Sequence, residues 1–158
     1  MRRVALQKRF GVVDADQQRS MSGLEFVQGL VSGTLPLNPM AETLGYDIVE
    51  AAEGRVAAVA DPREGHLNPA GGVHGGLAAT MLDSCMGLAV QSMLDKGSAQ
   101  TTLEFKISFV RPITTRTGPV RAEGKVISFG RRVGTAEGTL TDREGRVLAH
   151  GTTTCLIF

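Results

Sequence analysis

The residues best placed to do chemistry lie between His66 and Leu94, in the stretch HLNPAGGVHGGLAATMLDSCMGLAVQSML. Its first part, residues 66–76, holds Pro69, Gly71, Gly72, Gly75 and Gly76 and reads as a tight, glycine-shaped loop. Its second part, 77–94, is apolar most of the way round a helical projection, the pattern of a helix buried in a core. Thr80, Ser84, Gly87 and Gln91 break that pattern along one line, and Asp83 stands beside the line. A carboxylate two turns into a buried helix needs a partner or a task, because unpaired buried charge is strongly disfavoured.

Loop and helix together suggest one site. Unpaired backbone N–H groups and the macrodipole favour negative charge at a helix N-terminus. Gly75 and Gly76 let a ligand approach that backbone closely. An amide there can stabilise a developing oxyanion, and Asp83 can attack a carbonyl or activate water. From residue 75 to residue 83 is about 12 Å along a helix at 1.5 Å per residue, too far for both groups to reach one carbonyl carbon. Two such helices running antiparallel across a two-fold axis bring the Gly75 of one chain near the Asp83 of the other. The spacing therefore predicts a site built at a dimer interface, twice per dimer.

The elements that must hold this site follow from the rest of the chain. Its 158 residues suffice for one domain with a real core. Residues 1–20 read as a mobile or loosely docked tail and residues 21–158 as the single domain. Ser22-Gly-Leu-Glu25 has the form of a capping box, Leu24, Val27, Leu30 and Val31 keep helical spacing, and Gly33 is a stop. Pro36, Asn38 and Pro39 predict a turn. Residues 44–51 and 54–61 predict a hairpin around Glu53-Gly54. After the buried helix, closed by Asp95-Lys96-Gly97, the chain is all strand. Thr102–Val110 alternates, with Leu103, Phe105, Ile107 and Phe109 on one face and Glu104, Lys106 and Ser108 on the other. Strands over 118–128, 132–142 and 146–157 complete an α+β pattern, a curved antiparallel sheet around a long central helix. One sheet covers one side of such a helix, so the open side invites a second subunit.

Composition narrows the function classes. Seventeen basic residues against sixteen acidic ones leave no bulk field, and one Tyr with no Trp offers no stacking platform, so nucleic acid is not an expected partner. Cys85 and Cys155 do not make a disulfide framework and read as free cytosolic thiols. The basic start lacks an apolar core of the kind a secretory signal carries, and the 77–94 helix is too interrupted to span a membrane, so a cytoplasmic location is expected. His66 and His150 have no company at ligand spacing, so no metal site is expected.

The motif His66-x-Asn68-x-x-Gly71-x-x-His74-Gly75-Gly76, followed by Asp83, closely resembles the hotdog-fold acyl-CoA thioesterases of the phenylacetyl-CoA thioesterase (PaaI) type. The resemblance runs over roughly residues 22–158 and includes Phe109-Val110-Arg111-Pro112 and Gly130-Arg131-Arg132. It implies hydrolysis of an acyl-CoA thioester to a free acid and CoA, with no cofactor beyond the CoA of the substrate. It implies that Gly75 supplies the oxyanion amide, that Asn68 orients the thioester or the water, and that Asp83 of the other subunit is nucleophile or general base. A Ser or Thr opening the strand after the helix assists; Thr102 is the match, with Thr101 the next choice. Homodimers, often paired into homotetramers, are implied as well.

Other readings of the same residues stay open at this point. His74, at a helix start, can hold the loop through the backbone or take part in chemistry. Asn68 is also a turn residue and Thr102 also a strand former. Gly76 is expected to admit substrate, and Arg111, Arg131 and Arg132 are candidates for CoA phosphates, although solvated arginines at strand ends would look the same. A non-catalytic acyl-CoA sensor would more naturally carry a DNA-binding domain, for which residues 1–43 offer no helix-turn-helix. A hotdog dehydratase or hydratase would set a His beside an acid for proton abstraction, and the Asn-x-x-Gly-x-x-His-Gly-Gly spacing fits hydrolysis better.

Overall fold

The structure is a computed structural model that describes residues 8–158; residues 1–7 of the expected tail lie outside the described residues. Among the described residues four α-helices and six strands follow one another as α1 (Ala15–Arg19), α2 (Gly23–Ser32), α3 (Pro39–Leu44), β1 (Tyr46–Ala52), β2 (Arg55–Ala60), α4 (Gly75–Gln91), β3 (Gln100–Phe109), β4 (Val120–Phe129), β5 (Val133–Thr141) and β6 (Val147–Ile157). The strands form one antiparallel sheet in the order β1-β2-β4-β5-β6-β3. The long helix α4 lies across its concave face, with Met81, Leu82, Cys85, Met86, Ala89 and Val90 fully buried. The observed class is the expected one, an α+β hotdog.

Close approach of helix to sheet depends on glycine. Gly124 on β4 and Gly138 on β5 are paired across the ladder, and a Cβ on either would strike α4. At Gly124 it would lie 2.4 Å from the backbone carbonyl of Cys85; at Gly138 it would lie 2.9 Å from Met86 Cγ. The obstacle at Gly124 is backbone, which cannot rotate away. Gly124→Ala is therefore expected to destabilise the fold by about 3 kcal/mol, roughly 6–12 °C in Tm, in thermal unfolding followed by circular dichroism. Unchanged Tm would mean that α4 can lift off the sheet freely.

Helix α2 starts and stops where its signals lie. The Ser22 hydroxyl accepts from the Glu25 N–H, the Glu25 carboxylate accepts from the Ser22 N–H at 2.7 Å, and Gly33 closes the helix in the left-handed region at φ 77°. The Asn38-Pro39 turn is more than a turn. Asn38 caps a short helix by accepting from the Ala41 N–H at 2.9 Å, with Pro39 in the first helical position, so β1 begins at Tyr46 rather than 44. Helix α4 ends at Gln91, short of the expected Leu94, because α2 crosses it there: the Gly23 N–H donates to the Leu94 carbonyl, and Gly23 leaves no room for a Cβ against the Gln91 carbonyl.

The described part of the expected tail is docked. Phe10 bridges Leu37, the Gly11 N–H donates to the Leu37 carbonyl at 2.8 Å and the Leu37 N–H to the Arg9 carbonyl at 2.9 Å. Val13 enters the core. Lys8 donates to the Ile48 carbonyl at 2.6 Å and pairs with Asp47.

Strand β3 departs from strict alternation. A bulge between Thr102 and Glu104 sets Leu103 out of register. Thr102 then pairs with buried Cys155, and Phe105, Ile107 and Phe109 pair with Thr153, Gly151 and Ala149 on the helix side. Leu103 therefore does not share the face of the other three. Because β3 is an edge strand with no second helix over it, Leu103, Phe105, Phe109 and Val110 are exposed in the single chain.

Candidate active site

Asp83 and Thr102 meet directly. The Thr102 hydroxyl donates to Asp83 Oδ1 at 3.1 Å, across the gap between α4 and β3. The bulge makes this contact: with unbroken alternation from Phe105, Thr102 would point away from the helix. Asp83 Oδ2 accepts no hydrogen bond among the described residues. Burial pushes the Asp83 carboxyl above the ordinary carboxylate range, with the Thr102 hydroxyl opposing. A carboxylate raised this way is a stronger base than a solvated one and has a free oxygen to act with. Cys155 lies beside Thr102, and burial raises its thiol too, which keeps it protonated and unreactive.

The glycine loop is held by its own side chains. Buried His66 accepts from the Arg63 N–H at Nδ1 and donates from Nε2 to the Leu44 carbonyl at 2.8 Å. Asn68 Oδ1 accepts from the Ala70 and Gly72 N–H groups at 2.9 and 3.2 Å. That bonding is the turn role; the Asn68 Nδ2 amide donates to none of the described residues and stays available. His74 caps α4, its Nδ1 accepting from the Gly76 N–H at 2.8 Å. This occupies the Gly76 amide, so Gly76 has no N–H to offer a substrate. The Gly75 N–H, in the first helical position, has no acceptor among the described residues and is the free donor at this helix tip. The Phe109 ring covers Gly75, and a Cβ there would lie 2.8 Å from Phe109 Cζ.

The cap gives a direct prediction. His74→Ala should lower stability by about 1 kcal/mol, and His74→Asn, which caps through its own carbonyl oxygen, should restore most of it. Urea unfolding of the three proteins measures this; equal losses in both variants would show that the imidazole does something other than cap.

Within the chain Gly75 and Asp83 stay two turns apart on α4, as their spacing requires. The arginines also divide. Arg111 follows β3 at the end of the sheet where α4 begins and donates to the Val147 carbonyl at 2.6 Å. Arg131 and Arg132 lie in the β4–β5 turn at the opposite end. All three are exposed. Thr101, the second choice for the assisting hydroxyl, pairs with Leu156 and faces away from Asp83.

Beside Asp83 and Thr102 opens a cavity of about 350 Å³, walled by residues 11–13, α2, β1 and the polar line of α4 through Ser84 and Gly87. Ser84 Oγ and Tyr46 Oη are 3.2 Å apart, and Tyr46 Oη donates to Asn38 Oδ1 at 3.1 Å, a bonded chain on one wall. Gln100 Oε1, at the same cavity, is buried without a partner among the described residues. Sequence reasoning missed Tyr46 and Asn38. The polar line on α4 was their signal, since Ser84 and Gly87 on it face the cavity.

The model of the thioesterase superfamily matches residues 70–149, half of the chain, from the loop before α4 through β5 and into the start of β6. The chain belongs to the thioesterase superfamily. Among solved structures, a phenylacetic acid degradation-related protein of Ralstonia eutropha JMP134 is 30% identical, with a TM-score of 0.73 over 83% of this chain and 98% of that one. The phenylacetic acid degradation protein PaaI of Thermus thermophilus, solved as a mutant, is 26% identical, with a TM-score of 0.67 over 75% and 97%. By sequence, acyl-coenzyme A thioesterase 13 of Homo sapiens is 27% identical over 66% of this chain and 74% of that protein. A Halobacterium salinarum protein named as a candidate esterase is 35% identical over 60% of this chain; the match spans 64% of that relative, just under two thirds of its length. These likenesses place the thioesterase-superfamily chain with the PaaI-like hotdog proteins, as the 66–83 motif implies. No described helix is long and apolar enough to cross a membrane.

Proposed function

We propose that the chain hydrolyses acyl-CoA thioesters as a homodimer, needing no cofactor, with each site formed by Asp83 of one subunit and the Gly75 amide of the other. One observation carries this reading: Asp83 is half-buried, bonded to Thr102 through one oxygen and free at the other, beside a cavity sized for an acyl group. The Gly75 N–H receives the charge that develops on the thioester oxygen as the carbonyl carbon becomes tetrahedral. Asp83 takes the proton from an attacking water, or attacks the carbonyl itself to give an anhydride that water then opens. The C–S bond breaks, the CoA sulfur leaves with a proton, and the acyl group leaves as the acid. Asn68 Nδ2, unoccupied by its loop, orients the thioester.

The edge strand supports the dimer. Phe105 and Phe109 on one face of β3, with Leu103 and Val110 exposed beside them, leave an apolar sheet edge, the kind of edge a partner covers. An antiparallel pair across that edge brings the Arg111 end of one chain beside the Arg131–Arg132 end of the other. The divided arginines then gather into one basic patch for the phosphates of CoA. Pairing of dimers into a tetramer belongs to the same reading. Two unpaired, buried thiols, Cys85 and Cys155, suit the reducing cytoplasm.

The test is release of free thiol from acetyl-, octanoyl-, phenylacetyl- and palmitoyl-CoA, with enoyl- and hydroxyacyl-CoA as controls. Turnover of the thioesters is expected. Water addition to enoyl-CoA without thiol release would replace hydrolysis with hydration, and tight binding of every acyl-CoA without turnover would make the protein a sensor.

A further inference from the structure

We propose that the N-terminal segment of residues 8–20 is a wall of the acyl pocket and sets the size of acyl group the site accepts, an inference that rests on the hydrolase reading above. The segment is tied on one side of the cavity by the Gly11 and Leu37 backbone bonds and by burial of Val13. Its residues Gly11, Val12, Val13 and Gln18 line the same cavity as Asp83 and Thr102. Without it the space between α2 and α4 would open to solvent. With it, Val13 joins Phe26, Leu30, Ile48 and Leu88 in an apolar chamber ending at the carboxylate. The reacting carbonyl belongs at Asp83, and of its two substituents the apolar acyl chain, not the polar arm of CoA, matches a chamber lined by Val13, Phe26, Leu30, Ile48 and Leu88.

Volume bounds the occupant. An apolar cavity of about 150 Å³ holds one benzene ring. The 350 Å³ here holds, at the same density, at most roughly fourteen non-hydrogen atoms. That admits a medium-length straight chain or an aryl ring on a short linker, and it excludes a full sixteen-carbon chain.

The experiment measures kcat/KM for acetyl-, hexanoyl-, octanoyl-, phenylacetyl- and palmitoyl-CoA in the parent, Val13→Phe and Phe26→Ala. The readout is the ratio of octanoyl to acetyl, which general loss of folded protein leaves alone. Each methylene buried is worth about fourfold. Val13→Phe narrows the chamber and should lower the ratio at least about tenfold. Phe26→Ala, on the facing wall, should move the best substrate to a longer chain. Ratios within about twofold of the parent in both variants would overturn the proposal while leaving hydrolysis intact. Should Val13→Phe not fold, Val13→Ala takes its place, with a shift toward longer chains expected and an unchanged profile overturning. Should the parent hydrolyse no thioester, the hydrolase reading fails by itself. Calorimetry with the non-hydrolysable octanoyl-CoA thioether then decides: binding tighter than CoA and weakened in the Val13 variant supports the wall, and binding equal to CoA overturns it.

Discussion

Asp83→Asn is expected to lower kcat for thioester hydrolysis by about 10²–10⁴-fold and, at neutral pH, to raise Tm. The amide keeps the shape of the carboxyl and can still accept from the Thr102 hydroxyl, but it neither takes a proton from water nor attacks a carbonyl. The opposite sign for stability follows from linkage. Burial raises the Asp83 carboxyl above its ordinary value, so in the window between the two values the folded chain binds more protons than the unfolded one. Stability therefore falls as pH rises through that window and stays lower above it. The neutral amide has no such loss, and the two proteins should converge in Tm below the ordinary carboxylate range. Activity runs the other way: kcat/KM of the parent should rise with pH on a limb displaced above that range, then level off. Full turnover in the Asn variant would refute the assigned chemistry. Single-turnover hydrolysis in H2¹⁸O tests the two roles: label on Asp83 marks a nucleophile whose anhydride water opens at the aspartyl carbon, whereas a general base leaves Asp83 unlabelled and sends the label to the released acid.

Much of this site is legible in the sequence because its signals are local. A capping box, a glycine pair before an apolar run, and one carboxylate in a buried helix are each set by residues within a turn or two, and α2, the helix tip and Asp83 stand where those signals put them. The rise of a helix is fixed, so the separation of Gly75 from Asp83 follows from residue numbers alone. His74 shows the limit of the local signal: its place at the helix start is readable, but only the Nδ1 bond to Gly76 tells that it caps and that the Gly76 amide is taken.

What is not legible depends on partners distant in sequence. Strict alternation puts Leu103 with Phe105, which sends Thr102 to the wrong side for Asp83; the alternation and the assisting hydroxyl cannot both hold. The bulge that reconciles them comes from the register of β3 against β6, some fifty residues on, and has no mark within β3 itself. The docked segment is similar. Gly11-Val12-Val13 carries no periodicity, and its binding partner is the backbone of Leu37, a donor and an acceptor that any residue but proline would supply. Asn38 reads as a turn residue because Asn-Pro marks turns and helix starts alike; which one forms depends on whether the following residues have a core to pack on, and Ala41 does.

Hybrid dimers should recover activity that neither parent variant has. Gly75→Pro removes the free N–H with little harm to the helix: proline suits the first helical position, and His74 at φ −61°, ψ 134° already has the extended backbone that proline demands of its predecessor. The ring would press on Phe109, whose side chain must turn at the β3 edge to admit it. Loss of one oxyanion donor should cost about 10²–10³-fold in kcat, and Asp83→Asn removes the base. In a dimer of one Gly75→Pro chain and one Asp83→Asn chain, one site combines both lesions. The other site pairs the intact Asp83 of the first chain with the intact Gly75 of the second. Equal co-expression makes about half of the dimers hybrid, each with one working site of two, so the mixture should show about a quarter of parental activity. If each site drew Asp83 and Gly75 from the same chain, no combination would restore both, and the mixture would stay as inactive as its parts. The helix rise separates the two groups too far for a single carbonyl carbon, so recovery near a quarter is the expected outcome.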